Sequence, residues 1–401
     1  MEVFVVGAKR TPIGKFGGIF KNVPATELAK LASKAAIDQA GLEPSQIDEA
    51  IFGNVLMAGE GMGPARQVSI GVGMPVEVPA YTVNMVCGSG MKSLMLGAQD
   101  IASGEARIVL TGGMENMSQA PYLLPYKARF GMKFGDVRLV DSMIHDGLMD
   151  VFNNVHMGLT AEYLAEKFGI SREEQDEFAY WSQMKTKKAM EKGKFEEEIV
   201  PVKVKMKGEE VEVSRDEHPR PDVTLEKLAA LKPAFKEGGT VTAGNSSGIN
   251  DGASAIVLAS GKMVENLGLK PLARVVAWAQ AGVDPMEMGL GPVPAVKKLL
   301  EKTNLMFSDI DLIELNEAFA AQSIAVMREW SRIFGVDEGR IQERLNVNGG
   351  AIALGHPIGA TGNRIIVTLL YELKRQRLEW GIATLCIGGG MGTAVLIQNV
   401  E

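Results

Sequence analysis

AYTVNMVCGSG, residues 80–90, is the stretch of sequence that decides the fold. Its apolar and β-branched run over residues 80–86 predicts a strand, and the glycines on either side of Ser89 predict a tight turn. Apolar side chains then recur at helical spacing over residues 91–102, and residues 106–110 predict a second buried strand. A strand, turn, helix and strand in this order form the repeating unit of an α/β fold.

The second half of the chain repeats the order of motifs found in the first half. The matching segments are 308–315 with 45–52, 345–350 with 82–84, and 381–391 with 108–114. Several matches in one order predict an internal duplication, with one α/β half at residues 1–118 and 250–270 and the other at 271–401. Between them, residues 119–249 differ in composition and predict an inserted loop domain, in which the capping box Ser171-x-x-Glu174 begins a helix.

Composition excludes several classes of protein. The chain has 401 residues, of which 46% are hydrophobic and 23% are charged, as in folded globular proteins. Its net charge of -7 argues against nucleic acid as a partner, and no apolar run is long enough to span a membrane. Only two cysteines occur, and residues 1–7 lack the pattern of a signal peptide, so we expect a cytoplasmic protein with free thiols.

Four side chains lie at predicted strand-end turns and could do chemistry. Cys87 stands at a strand-to-helix turn, where a helix N-terminus would stabilise a thiolate, although a buried apolar cysteine is the alternative. His356 lies in a loop, GHPIGATG, before an apolar-striped helix. Cys386 ends a strand before Gly388, where backbone N–H groups could converge on an oxyanion. Asn316, the fourth, comes directly after a further predicted strand at residues 312–315, and Glu317 is the next residue.

Other motifs are absent or stand in the wrong context. The sequence has no zinc signature, no phosphate-binding P-loop and no dinucleotide-binding fingerprint. The segment GNSSG, residues 244–248, matches the G-x-S-x-G elbow of serine hydrolases around Ser246. That elbow requires a helix directly after the serine, whereas a turn and a strand are predicted here, so the match carries little weight.

The assembled motifs resemble the thiolase family along nearly the whole chain. The blocks that carry the resemblance are VNMVCGSGMKS, NNVHMG, GTVTAGNSSGINDGA, NEAFA, NVNGGAIALGHPIGATG and CIGGGMG. The resemblance implies a five-layered αβαβα sandwich of two duplicated halves with an inserted loop domain that binds CoA. It also implies a homo-oligomer, which we expect to be a tetramer built as a dimer of dimers.

The resemblance assigns a role to each candidate residue. Cys87 would be the nucleophile that becomes acetylated, activated by His356, and the N–H groups of Cys87 and Gly388 would hold the oxyanion. Cys386 would take a proton from the second substrate, and a water positioned by Asn316 would help His356 to stabilise the enolate. The substrates would be CoA thioesters, and no metal or redox cofactor would be required.

Six further residues are expected to bind the CoA thioester. The resemblance places His156 and Met157 beside the pantetheine, Ser247 at its amides and Arg220 near the adenine and phosphates. Met288 and Phe319 would contact the acyl and pantetheine region, although ordinary core packing explains Met157, Met288 and Phe319 equally well.

The NNVHMG block with Met288 resembles the short-chain biosynthetic branch of the family. That branch converts two acetyl-CoA molecules into acetoacetyl-CoA and CoA. A degradative 3-ketoacyl-CoA thiolase of broader chain length is the alternative, and a non-catalytic acyl-CoA-binding relative is a third possibility. The chain departs from the family pattern in a longer segment at 328–344, expected to extend a surface helix or loop, and in Thr361 and Asn363.

Overall fold

A computed structural model describes residues 2–206 and 208–400. The strands are β1 (Val3–Arg10), β2 (Gly14–Lys15), β3 (Glu49–Gly53), β4 (Ala80–Val83), β5 (Ile108–Asn116), β6 (Tyr122–Leu123), β7 (Val140–Asp141), β8 (Met149–Asp150), β9 (Val155–His156), β10 (Val202–Met206), β11 (Glu209–Val213), β12 (Asn250–Ser260), β13 (Ala273–Gly282), β14 (Leu312–Leu315), β15 (Trp380–Ile387) and β16 (Met391–Asn399). The α-helices are α1 (Ala25–Ala40), α2 (Pro64–Gly71), α3 (Ser89–Ser103), α4 (Met157–Lys167), α5 (Arg172–Glu191), α6 (Leu225–Ala229), α7 (Gly261–Leu267), α8 (Pro292–Glu301), α9 (Ala320–Phe334), α10 (Glu338–Arg344), α11 (Ala351–Leu354) and α12 (Ile358–Gln376).

One large sheet contains both halves of the chain, and its strand order shows the duplication. The order is β14-β15-β16-β13-β1-β12-β5-β3-β4, with β2 paired to β12. In the first half, β12 is antiparallel to both β1 and β5, and β5 is parallel to β3. In the second half, β16 is antiparallel to both β13 and β15, and β15 is parallel to β14. The predicted duplication is therefore confirmed in the strand pairing.

Helices cover both sides of the two half-sheets and produce five layers. Helices α3 and α12 pack against each other in the middle, with α3 on β5 and β3, and α12 on β12, β5 and β15. Helix α1 covers the outer face of the first half-sheet, and α8 covers β13 and β16 on the other side. A separate buried cluster fills each outer interface, and a third surrounds the central helices. This arrangement confirms the predicted αβαβα sandwich.

The central helices are equivalent elements of the two repeats, and each begins at a predicted catalytic turn. Cys87 lies two residues before α3, and His356 lies two residues before α12. The two turns approach closely because Gly90 has no side chain, since a Cβ there would lie 2.9 Å from the carbonyl oxygen of Gly359. The packing of α3 against α12 therefore brings the turn that carries Cys87 close to the turn that carries His356.

The strand predicted over residues 80–86 is too long, because β4 ends at Val83. Val86 has a φ of 47°, which no strand residue can adopt, so the chain must leave the sheet before Cys87. Helix α3 agrees with its prediction, with Met91, Leu94 and the later stripe buried and Gly104 ending it in the left-handed conformation.

The segment between β5 and β12 contains short sheets and the helices α4, α5 and α6. The predicted capping box is confirmed, since the Ser171 hydroxyl accepts from the N–H of Glu174 and the Glu174 carboxylate accepts from the N–H of Ser171. The domain boundaries 1–118, 119–249 and 271–401 stay predictions. No helix within residues 2–206 and 208–400 is long and apolar enough to cross a membrane.

The longer segment at 328–344 forms the end of α9 and the short helix α10. Asp337 caps α10, and Arg344 at its end donates to the carbonyl oxygen of Ile310. The segment lines a surface cavity of about 1300 Å³ to which none of the predicted site residues contributes. No residue of the segment 328–344 lines the second cavity, which is lined by His356.

Candidate active site

The turn that presents Cys87 is held by side chains and is strained at one residue. The Asn84 carboxamide oxygen accepts from the N–H of Val86, and the Ser89 hydroxyl accepts from the N–H of Met85 and donates to the carbonyl oxygen of Val86. Val86 is β-branched, so its left-handed φ is costly, by about 1–3 kcal/mol. Strain of this kind persists where the surroundings fix it, and here it sets the position of the next residue, Cys87.

Cys87 is partly exposed and free, and its sulfur accepts two backbone hydrogen bonds. These come from the N–H of Gly388 and from its own N–H, the pair predicted to hold an oxyanion. We expected the helix N-terminus to lower the thiol pKa, and this expectation is wrong. Burial raises the pKa of Cys87 to about 11, because desolvation of the thiolate outweighs the two N–H donors. The resting nucleophile is therefore a neutral thiol.

His356 is buried and fixed in one orientation by its neighbours. Its backbone N–H donates to the carboxamide oxygen of Asn250 at 2.9 Å, and its Nδ1 lies 2.7 Å from the Thr361 hydroxyl. Because that hydroxyl donates its single proton to the carbonyl oxygen of Pro357, it can only accept from the imidazole. The proton of the neutral ring therefore sits on Nδ1, and Nε2 carries the lone pair that could accept a proton.

Electrostatics keep the His356 imidazole neutral. Burial and the nearby positive charge of Arg364 lower its pKa to about 3. Its Nε2 lies 3.4 Å from the side-chain nitrogen of Asn316, which places these two predicted residues side by side. The carboxamide oxygen of Asn316 is buried without a hydrogen-bond partner in the described part of the chain. A polar group of a substrate or a water would satisfy that oxygen.

Cys386 is the penultimate residue of β15 and belongs to a buried apolar cluster. Burial raises the pKa of the Cys386 thiol, and negative charge on Cys87 raises it further, so the two sulfurs are close enough to interact. Gly388 follows directly after β15, and its N–H donates to the sulfur of Cys87. The contacts therefore join Cys87 with Gly388 and Cys386, and His356 with Asn316, while the roles assigned to these residues stay predictions.

A cavity of about 650 Å³ leads to this cluster. His356 lines it together with five of the predicted CoA-binding residues: His156, Met157, Arg220, Ser247 and Phe319. Met288 does not line the cavity but packs behind it with Met157, Phe319 and Cys386. The two thiols, Asn316 and Gly388 are not among the residues that line the cavity.

Sequence reasoning missed two aromatic rings of the cavity wall. Phe235 stacks on His156 with ring centroids 4.8 Å apart and meets the edge of Phe319 at 6.1 Å. His218 faces Gly248 and donates to the carbonyl oxygen of Ile352, and burial lowers its pKa to about 4. Only the position of His218 near Arg220 could have indicated its place, and nothing local marks Phe235.

Two residues singled out in the sequence serve other purposes. The Glu317 carboxylate is buried and accepts from the side chains of Ser182 and Asn346, so it anchors the loop that carries Asn316. Ser246 is buried, and its hydroxyl donates to the carbonyl oxygen of Thr242 at 2.7 Å. Because strand β12 rather than a helix follows, Ser246 is no hydrolase nucleophile. Among residues 2–206 and 208–400, no cluster of three or more His, Cys, Asp or Glu side chains could hold a metal ion.

Comparison with known proteins agrees with this arrangement. The model of the thiolase N-terminal domain matches residues 3–262, and that of the thiolase C-terminal domain matches residues 269–399. The chain therefore belongs to the thiolase family, and it is an acyltransferase.

Individual relatives are similar over their full length. An acetyl-CoA acetyltransferase of Cupriavidus necator is 52% identical over 399 residues, which are 99% of each chain. The structure of an acetyl-CoA acetyltransferase from Syntrophomonas wolfei has a TM-score of 0.96 at 45% identity and covers 100% of this chain and 99% of that one. The human mitochondrial 3-ketoacyl-CoA thiolase has a TM-score of 0.95 at 46% identity, with the same coverage.

Proposed function

We propose that this protein is an acetyl-CoA C-acetyltransferase, which condenses two acetyl-CoA molecules reversibly into acetoacetyl-CoA and CoA. The observation that carries the proposal is the placement of two groups at the starts of the helices α3 and α12, which pack against each other. The Cys87 sulfur accepts from the N–H of Gly388, and His356 keeps its proton on Nδ1 towards Thr361, with Nε2 beside Asn316. A second thiol, Cys386, interacts with the first. A carrier that only binds acyl-CoA needs neither thiol.

The first half-reaction acetylates Cys87. The sulfur attacks the thioester carbonyl while its proton passes to Nε2 of His356. Because the pKa of Cys87 is raised and that of His356 is lowered, a resting thiolate–imidazolium pair is disfavoured, so proton transfer accompanies the attack. The N–H groups of Cys87 and Gly388 stabilise the oxyanion, and CoA leaves with the proton of Cys386.

The second half-reaction forms the carbon–carbon bond. The Cys386 thiolate removes a proton from the methyl group of a second acetyl-CoA, and its raised pKa makes it a strong base for that weak acid. The protonated Nε2 of His356 and a water held by Asn316 stabilise the enolate. The enolate attacks acetyl-Cys87, and His356 returns its proton to the departing sulfur. Side chains carry every proton, so the proposed reaction uses no metal or redox cofactor.

The aromatic wall supports a short acyl group. Phe235 stacks on His156 and packs edge to face with Phe319. Met157 and Met288 belong to the same buried apolar cluster as Cys386. Thiolysis rates on acetoacetyl-CoA and 3-ketooctanoyl-CoA test this part of the proposal. Preference for the longer substrate would instead favour a degradative 3-ketoacyl-CoA thiolase.

Acetylation itself is tested by mass spectrometry of the protein after incubation with acetyl-CoA. We expect a single acetyl group on the peptide that contains Cys87, and none in Cys87→Ser. An acetyl group on another residue, or none on active protein, would contradict the proposed chemistry.

We further propose that the chain forms a homo-oligomer, a tetramer built from dimers, in the cytoplasm. Large apolar side chains are exposed in the segment 122–139, including Tyr126, Phe130 and Phe134. Large apolar side chains exposed at this density along one segment favour a protein–protein interface. Light scattering coupled to size-exclusion chromatography gives the stoichiometry, and we expect substitution of Phe130 and Phe134 by Ser to reduce the tetramer to dimers.

A further inference from the structure

Glu115 is a buried carboxylate that none of the proposed steps uses. It lies near the end of β5, with no exposed surface. One carboxylate oxygen accepts from the side chain of Asn54 at 3.1 Å and from the N–H of Leu56 at 3.0 Å. The other accepts from the N–H of Val55 at 3.2 Å and from that of Gly359 at 2.8 Å. Four donors fill the acceptor positions of an ionised carboxylate.

The segments held by Glu115 are those that surround the reacting groups. Val55 and Leu56 pack with Ile358 in a small apolar cluster against which Cys87 also packs. Gly359 belongs to the first turn of α12 and lies three residues after His356. Glu115 therefore joins a loop of the first repeat to the helix of the second repeat that begins at the catalytic base.

We infer that Glu115 is a positioning residue, which fixes the apolar wall beside Cys87 and the N-terminus of α12 behind His356. The inference rests on the proposed function of Cys87 and His356. Its negative charge is favourable at a helix N-terminus and, at the same time, opposes a thiolate on Cys87. Glu115 thus holds the two segments in place through its hydrogen bonds and, where it is ionised, adds to the effect of burial in opposing a thiolate on Cys87.

The neighbouring ionisable groups define the pH range of the test. Burial and the charge of Glu60 raise the pKa of Glu115 to about 8. Glu60 itself is half-buried beside Asn54, and Cys386 is the other ionisable group that interacts with Cys87. Because the pKa of Cys87 is about 11, Glu115 is already a carboxylate where the thiol ionises.

Two variants separate the charge of Glu115 from its reach. Glu115→Gln removes the charge and turns an NH₂ group towards N–H donors, whereas Glu115→Asp keeps the charge but shortens the side chain. Glu372→Gln is the matched control, because Glu372 is a buried carboxylate near the far end of α12 that accepts from Asn348 and Lys194. Each protein is assayed for kcat, KM, thermal unfolding and the pH profile of Cys87 alkylation by iodoacetamide, read by peptide mass spectrometry.

For Glu115→Gln we expect kcat to fall by about 10- to 100-fold with little change in KM, as for a small displacement of reacting groups. Its alkylation midpoint should move to lower pH by about half a unit or more. Glu115→Asp should lose kcat but keep the wild-type midpoint, and Glu372→Gln should change only thermal stability.

Wild-type kcat in Glu115→Asp would overturn the positioning role, and this holds even where Glu115→Gln does not fold. An unchanged midpoint in folded Glu115→Gln would overturn the electrostatic role. If the wild type is not acetylated by acetyl-CoA, the proposed function fails, whereas the alkylation profiles still measure the effect of Glu115 on Cys87.

Discussion

Replacing Thr361 with valine tests the assigned tautomer of His356. Valine has the shape of threonine, so the change removes only the hydroxyl that accepts from Nδ1 at 2.7 Å and donates to Pro357. A buried N–H without a partner costs about 1–3 kcal/mol. Since about 1.36 kcal/mol corresponds to a factor of ten, kcat should fall roughly 5- to 150-fold.

The KM of Thr361→Val for acetyl-CoA should stay near the wild-type value, because Thr361 is fully buried and does not line the cavity. Steady-state kinetics of acetoacetyl-CoA thiolysis measure both constants. Thr361→Ser keeps the hydroxyl and should be close to wild type. Thr368→Val makes the same chemical change on the same helix, where the hydroxyl meets Glu198, and should leave kcat within about twofold. The reasoning is refuted if Thr361→Val retains wild-type kcat or if Thr361→Ser is equally slow.

Three further predictions concern the second thiol, acid stability and a buried ion pair. Cys386→Ser should still acetylate Cys87, because CoA can leave as a thiolate that takes its proton from solvent, but it should lose condensation, which needs the Cys386 thiolate as base. Mass spectrometry and a product assay distinguish the two steps, and equal loss of both would contradict this difference. Burial holds the pKa of His218 near 4, so as pH falls from about 6.5 to 4 the unfolded chain binds a proton that the folded chain refuses. The free energy of unfolding of the wild type should therefore fall, relative to that of His218→Gln, by up to about 1.36 kcal/mol per pH unit over this range. The difference in Tm between the two proteins should narrow or reverse as the pH falls, and a constant difference would refute the prediction. Arg10→Met leaves the buried carboxylates of Glu198 and Asp216 without their cation, so the free energy of unfolding measured in denaturant should fall by about 3–5 kcal/mol. Lys30→Met, at an ion pair near the surface, should lower it by under about 1 kcal/mol.

The positions of the proposed catalytic side chains could be predicted from sequence because short motifs place them at turns next to strands and helices. Cys87, His356 and Cys386 each lie beside glycines that mark a turn, and periodicity identifies the helix or strand next to each one. The repeat of motifs then pairs the turns across the two halves. Local pattern, duplication and family resemblance therefore agree on the fold and on the core of the site.

The properties that depend on distant packing could not be predicted. The pKa of Cys87 is raised because other segments bury it, whereas the local pattern shows only a helix N-terminus. Val86 lies in a sequence that favours a strand, yet the hydrogen bonds of the turn hold it at a positive φ. Glu115 and Phe235 lie in no recognisable motif of their own, and only the folded chain brings them to the site. Burial and long-range hydrogen bonds, rather than local propensity, determine these features.

The equivalent positions of α3 and α12 have a consequence for the ancestry of the molecule. A single ancestral repeat paired with its own copy would have presented the same side chain twice to the shared cleft. Here a thiol precedes one helix and an imidazole precedes the other. Two repeats within one chain can carry different side chains at equivalent turns, which two copies of one identical repeat could not.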